Sequence, residues 1–174
     1  MNGTSLTPEQ NAFQLVANLR DAAVARGEAD VQLLQTHISW LLLAGAHAYK
    51  FKKPLKLDFL DFSTLQQRHA ACLEELRINR RTAPDLYLSV QPVTGTLQAP
   101  RIGGAGEPLD WVVCMRRFPA HALMAEMAAR GELAASHMDA LARAIAAFHG
   151  KSVTAYNIDA AALERARDAL TRLA

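Results

Sequence analysis

Ala48-Tyr49-Lys50-Phe51-Lys52-Lys53-Pro54 is the stretch on which the fold turns. Its residues alternate: Ala48, Lys50 and Lys52 fall on one side of an extended chain, Tyr49 and Phe51 on the other. Pro54 has no N–H to continue a ladder, so a strand ends there. Upstream, the apolar run Trp40-Leu41-Leu42-Leu43 is closed by Ala44-Gly45-Ala46, and Gly45 marks a hairpin turn. Val31 to Gln35 reads as a further strand. Three antiparallel strands are expected at about residues 31–36, 38–43 and 47–53.

Outward from these strands the period changes. Thr7-Pro8-Glu9-Gln10 begins a helix: Thr7 caps, Pro8 suits the first turn and Gln10 completes a capping box. Phe13, Val16, Leu19, Ala23 and Val24 follow at helical spacing, and Gly27 stops the run. After Pro54, Lys56 to Phe62 forms an apolar-acidic linker. Ser63-Thr64-Leu65-Gln66 reads as a second capping box, and the helix behind it aligns Leu65, His69, Cys72, Leu73 and Leu76. Arg77, Arg80 and Arg81 suit its C-terminus, and Pro84 bars continuation.

Strands are expected at about residues 86–93 and 109–118, separated by a loop or wide hairpin with glycines at 95, 103, 104 and 106. Beyond Pro119 the chain turns alanine-rich, and helices are expected at about 120–130, 136–149 and 159–173. The composition therefore divides the chain at Phe118-Pro119 into a sheet-rich part, 1–119, and a helical part, 120–174.

The 174 residues suffice for one domain or slightly more, and 51% apolar with 21% charged residues is ordinary for a globular protein. The net charge of +2 is too small to argue for nucleic acid. Lys50, Lys52, Lys53, Lys56, Arg77, Arg80, Arg81, Arg116 and Arg117 make a basic concentration. No nucleic-acid motif or stacking aromatic pair accompanies it, so nucleic acid is not an expected partner. Cys72 and Cys114 lack metal or redox spacing, and the histidines form no H-E-x-x-H pattern. No metal site is expected. No leader and no membrane-length apolar run is present, so a cytoplasmic protein without membrane contact is expected.

Several segments occur in a specific order: Thr36-His37-Ile38-Ser39-Trp40, then Ala48 to Pro54, then Phe59-Leu60-Asp61-Phe62-Ser63-Thr64-Leu65. Glu75-Leu76-Arg77-Ile78-Asn79-Arg80-Arg81 and Ala83-Pro84-Asp85-Leu86-Tyr87 follow. Together, over about residues 29–149, they resemble bacterial aminoglycoside-phosphotransferase-like proteins, often fused to a P-loop kinase-type ATPase domain. The resemblance implies an α+β, protein-kinase-like small lobe: an antiparallel sheet of about five strands with a packed helix, then the first helices of a larger lobe. It implies ATP-dependent phosphoryl transfer to a small molecule that it does not identify. The antibiotic in the name is a fold-level label.

Carried over residue by residue, Lys50 falls where a strand lysine meets nucleotide phosphates, and Glu75 where a helix carboxylate holds that lysine. Lys52 shares the face of Lys50, and Glu74 neighbours Glu75, so both assignments keep an alternative. Thr36, His37 and Ser39 would cover the nucleotide in place of a G-x-G-x-x-G loop. Met115, Arg116, Arg117 and Phe118 would form the hinge whose backbone meets adenine. The resemblance stops before the catalytic loop: His149-Gly150-Lys151 has Lys151 where the H-G-D-x-H pattern has its acid, and no D-F-G-like site follows. No catalytic residue is assigned. Mg²⁺ is expected only if a missing lobe is supplied, and that lobe, a fused P-loop domain or self-association are the expected protein partners. A non-catalytic nucleotide- or protein-binding module is the alternative. The plainer reading of Lys50 itself is a surface lysine blunting a sheet edge.

Overall fold

A computed structural model of the chain describes residues 6–151. The helix expected at 159–173 lies outside the described residues. The contacts divide the chain into two compact units, residues 1–56 with 60–117 and residues 57–59 with 118–174. The cut after Arg117 lies beside the Phe118-Pro119 division read from composition.

The first unit opens with α1 (Pro8–Ala25), capped by a reciprocal box in which Thr7 Oγ1 accepts from Gln10 N–H and the Gln10 side chain accepts from Thr7 N–H. Then come β1 (Gln32–Gln35), β2 (Ser39–Ala44) and β3 (His47–Lys52), each antiparallel to the last. Gly45, at φ +53°, takes the first position of the two-residue loop between β2 and β3, where left-handed backbone matches strand twist. Two short strands, β4 (Lys56–Leu57) and β5 (Leu60–Asp61), form a separate ribbon. Helix α2 (Leu65–Asn79) precedes β6 (Tyr87–Gly95), β7 (Pro100–Ile102) and β8 (Asp110–Arg116).

The main sheet has six strands in the order β1-β2-β3-β8-β6-β7. The last strand thus lies between β3 and β6 and pairs with both, Lys50 facing Val113 and Ala48 facing Met115 across the β3–β8 ladder. Six strands replace the expected five or so because β7 forms inside the expected loop. Gly95 makes its turn possible: at φ +94°, a Cβ there would lie 2.5 Å from the Ala99 carbonyl oxygen.

Strand alternation sends the two faces of the sheet to different helices. Phe51, Leu42, Trp40, Val93 and Val112 pack with Leu15, Val16 and Leu19 of α1. Ala48, Val113 and Met115 pack with Cys72 of α2. The sheet therefore has a helix on each face. The buried stripe of α1 is centred on Leu15, Val16, Leu19 and Ala23, whereas Phe13 and Val24, expected within it, stay exposed. Phe13 still meets Trp40 at a ring separation of 5.8 Å. On α2, Leu73 is exposed and Arg68 takes a buried place in the packed face. The α2 cap also sits one residue later than expected: Thr64 and Gln67 form the box, not Ser63 and Gln66.

The second unit holds a short 3₁₀ turn (Ala120–Ala122), α3 (Met124–Ala129) and α4 (Ala135–Lys151). His149 and Gly150 are helical. Leu123, Met124, Met138, Leu141 and Ile145 are exposed.

Candidate functional site

Ala48, Lys50 and Lys52 project from the face of β3 on which α2 packs. Glu75, late in α2, reaches back to both lysines. The Lys50 ammonium donates to Glu75 Oε1 at 2.8 Å, and the Lys52 ammonium donates to Oε2 of the same carboxylate. The surroundings are unequal. The Lys50 side chain is 32% exposed and that of Lys52 only 7%, with the carboxylate itself nearly covered. Lys52 also lies 5.3 Å from the centre of the Phe62 ring, whose face favours a cation. Glu74 points elsewhere, to an exposed pair with Arg77. Between the two neighbouring glutamates, Glu75 is the one the fold aims at the strand.

Burial alone pushes the Glu75 carboxyl up, but hydrogen bonds and charge from Lys50 and Lys52 outweigh it and hold the group below its ordinary value. Tyr87 is raised, first by burial and then by the Glu75 charge, so its hydroxyl stays protonated beside the pair. Cys72, fully buried at the centre of the same face, is pushed up to about 12 chiefly by desolvation. It is a packed thiol, not a nucleophile. A second buried pair flanks this region: Arg68 Nε donates to Asp110 Oδ1 at 2.9 Å and its Nη1 to the Phe62 carbonyl at 3.1 Å. Burial outweighs Arg68 and raises Asp110. Together these groups set three cations against two carboxylates.

The register lines up an apolar shelf beside Lys50. Leu34 faces Leu41, Leu41 faces Lys50, Leu43 faces Ala48 and Ala48 faces Met115. Met115 is buried in this shelf, one row of side chains from Lys50. Arg117 is turned to the Asp30 carbonyl at 2.8 Å, and its backbone N–H is held by the Ala46 carbonyl. The turn at 36–39 closes on itself. Thr36 Oγ1 accepts from the Ser39 N–H at 3.0 Å and donates to the Ser39 carbonyl at 3.2 Å, while His37 is exposed. Ser39 pairs opposite Lys52, with its hydroxyl buried and unpartnered. The fold thus brings Lys50, Lys52 and Glu75 together, sets Met115 and Ser39 in adjoining rows, and leaves His37 and the Arg117 guanidinium outside the cluster. Sequence reasoning did not foresee Lys52 as a second partner of Glu75, although its place on the Lys50 face was the available signal. A separate cavity of about 360 Å³ borders Arg68, Asp110, Leu15, Leu65 and Leu97; none of the expected site residues lines it.

Among the described residues, no three His, Cys, Asp or Glu side chains gather where they could hold a metal. No helix among them is long and apolar enough to cross a membrane.

The chain is similar to uncharacterized proteins of Mycobacterium bovis and of two strains of Mycobacterium tuberculosis, each 36% identical over 132 residues. The match covers 76% of this chain and 25% of each relative, so the chain spans about a quarter of the length of the curated relatives it matches. No family model and no solved structure matches the chain.

Proposed function

We propose that this chain is the nucleotide-handling, amino-terminal part of an ATP-dependent small-molecule phosphotransferase, protein-kinase-like in fold and of the aminoglycoside-phosphotransferase-like type. The observation that carries the reading is the ion pair between Lys50 on β3 and Glu75 on α2. A strand lysine held by a helix glutamate is the arrangement with which kinase folds present a fixed charge to phosphates. The surplus of one cation in this strip leaves charge for an anion to neutralise. The half-buried Leu41 and Leu43, packed at the margin of the cluster that holds Ala48 and Met115, supply an apolar surface of the kind an adenine ring covers. In this reading the phosphates meet Lys50, and the base meets the shelf and the backbone near Met115. The aspartate base and the Mg²⁺ ligands belong to a further lobe, so the chain binds ATP but transfers no phosphoryl group by itself.

Calorimetric titration of ATP into the purified chain and into Lys50→Ala tests this. Saturable binding is expected, weakened at least about tenfold in the variant, the scale of one charge-assisted contact. Equal affinities would remove Lys50 from the site.

A second reading, a non-catalytic protein-binding module, is favoured by one observation. Leu141 and Ile145 on α4 and Leu123 and Met124 around the start of α3 are exposed, an apolar surface suited to docking another polypeptide.

A further inference from the structure

We propose that the cavity of about 570 Å³ bordered by the start of α1, the end of β1 and Trp40 of β2 binds a small planar aromatic carboxylate. Trp40 belongs to the face of the sheet that α1 covers, away from Lys50 and Glu75, so this site goes beyond the nucleotide-binding reading and does not depend on it.

The fold leaves three side chains here incompletely served. The indole Nε1–H of Trp40 is buried and has no acceptor. A covered donor left unpaired costs free energy that an acceptor would restore. Lys53 is the second. Alternation sends it to the opposite side from Lys52, so the sheet parts it from Glu75. It is only 4% exposed, and its ammonium lies 5.4 Å from the centre of the Trp40 ring. Among the described residues, Lys50 and Lys52 share Glu75 and Lys56 meets Asp61, but Lys53 has no carboxylate within ion-pair reach. Buried charges are ordinarily paired. Phe13 is the third: it stands 5.8 Å from the Trp40 ring yet keeps 43% of its surface exposed.

What these groups lack defines the ligand. Trp40 and Lys53 are both donors, so the ligand brings acceptors, and the unpaired ammonium calls for negative charge. One ammonium and one N–H match a carboxylate, whereas a doubly charged phosphate would leave charge unbalanced. Phe13 and Trp40 call for a flat apolar ring, and the volume admits two fused rings. The single carboxylate in the lining, Glu9, is exposed, where solvent screens its repulsion. The indole N–H is covered, but Leu6 and Phe13, which share its cavity, are nearly half in solvent, and their displacement admits the carboxylate.

Naphthalene-2-carboxylate is the probe, titrated by calorimetry into the 174-residue chain. Saturable binding is expected. It should weaken at least about tenfold for naphthalene-2-methanol, which keeps the rings and loses the charge, and about as much in Lys53→Met. Methionine keeps the apolar stem and removes an unpaired buried charge, so the variant should unfold at no lower urea concentration. In proton–nitrogen spectra of the natural protein, the indole resonance that Trp40→Phe deletes should move as the probe saturates, a readout that stands even if Lys53→Met fails to fold. Absence of binding, equal affinity for the alcohol, equal affinity in a folded Lys53→Met, or an unmoved Trp40 indole each overturns the proposal. Lys50→Ala should bind the probe as the natural protein does. Loss of binding there would put the probe in the nucleotide site and overturn the proposal as well, while ATP binding itself, present or absent, decides only the nucleotide reading.

Discussion

Glu75 is a single carboxylate held between two ammoniums, and its titration reports that environment. Its folded value lies below the ordinary 4.5 because Lys50 and Lys52 outweigh the opposing effect of burial. A depressed carboxylate contributes stability that is present above the unfolded value and lost as pH falls through the folded one. Urea unfolding at stepped pH should show the natural protein losing stability below about pH 4.5, and Glu75→Gln losing less over the same interval. Parallel curves would mean that the lysines do not hold this carboxylate. At this scale the sequence was legible in part. Alternation put Lys50 on a defined face, and the resemblance, not helical spacing, set Glu75 on the following helix as its partner. The preference for Glu75 over Glu74 came from the resemblance and kept Glu74 as its alternative, because a one-residue step around a helix depends on how the helix is turned against the sheet. The sharing of Glu75 with Lys52 was signalled only by the common face of the two lysines, since strand period alone cannot say which of them a carboxylate will meet, or that it will meet both.

Among the elements, α2 and β8 are fastened by Arg68 and Asp110, both nearly inaccessible and bonded at 2.9 Å. Removing one member of such a pair leaves the other charged and unsolvated. Asp110→Ala should cost about 3–5 kcal/mol in urea or thermal unfolding, whereas Arg68→Met/Asp110→Leu should recover most of that loss. Equal costs for the single and double variants would show that the pair is not the fastening. Sequence patterning missed this contact because an arginine on a helix reads as solvent-facing, and only the fold supplies the acid opposite it. It missed β7 for a related reason: Pro100 and the glycines at 103, 104 and 106 argue for loop, yet an edge strand of three residues tolerates a proline at its start. The displaced α2 cap has a simpler cause. Ser63 and Thr64 both suit an N-cap, Gln66 and Gln67 both suit its partner, and only backbone geometry separates the two frames. The β1–β2–β3 succession was readable because its apolar runs and hairpin glycine all point the same way.

Over the whole molecule, a sheet with a helix on each face forms one unit, and α3 and α4 belong to a second. The exposed Leu141 and Ile145 on α4 make self-association measurable. If this surface docks protein, multi-angle light scattering behind size exclusion should show mass rising with concentration, and a monomer at every concentration would count against the docking module. The central claim concerns the first unit: Lys50 is the amine that meets nucleotide phosphates. The most direct measurement uses an ATP derivative carrying an acyl group on its terminal phosphate. A lysine beside that phosphate attacks the acyl carbon, keeps the acyl group as an amide and releases ATP. Mass-spectrometric mapping should find the label on Lys50 and find it suppressed by excess ATP. Label spread over exposed lysines such as Lys56, unaffected by ATP, would contradict the account.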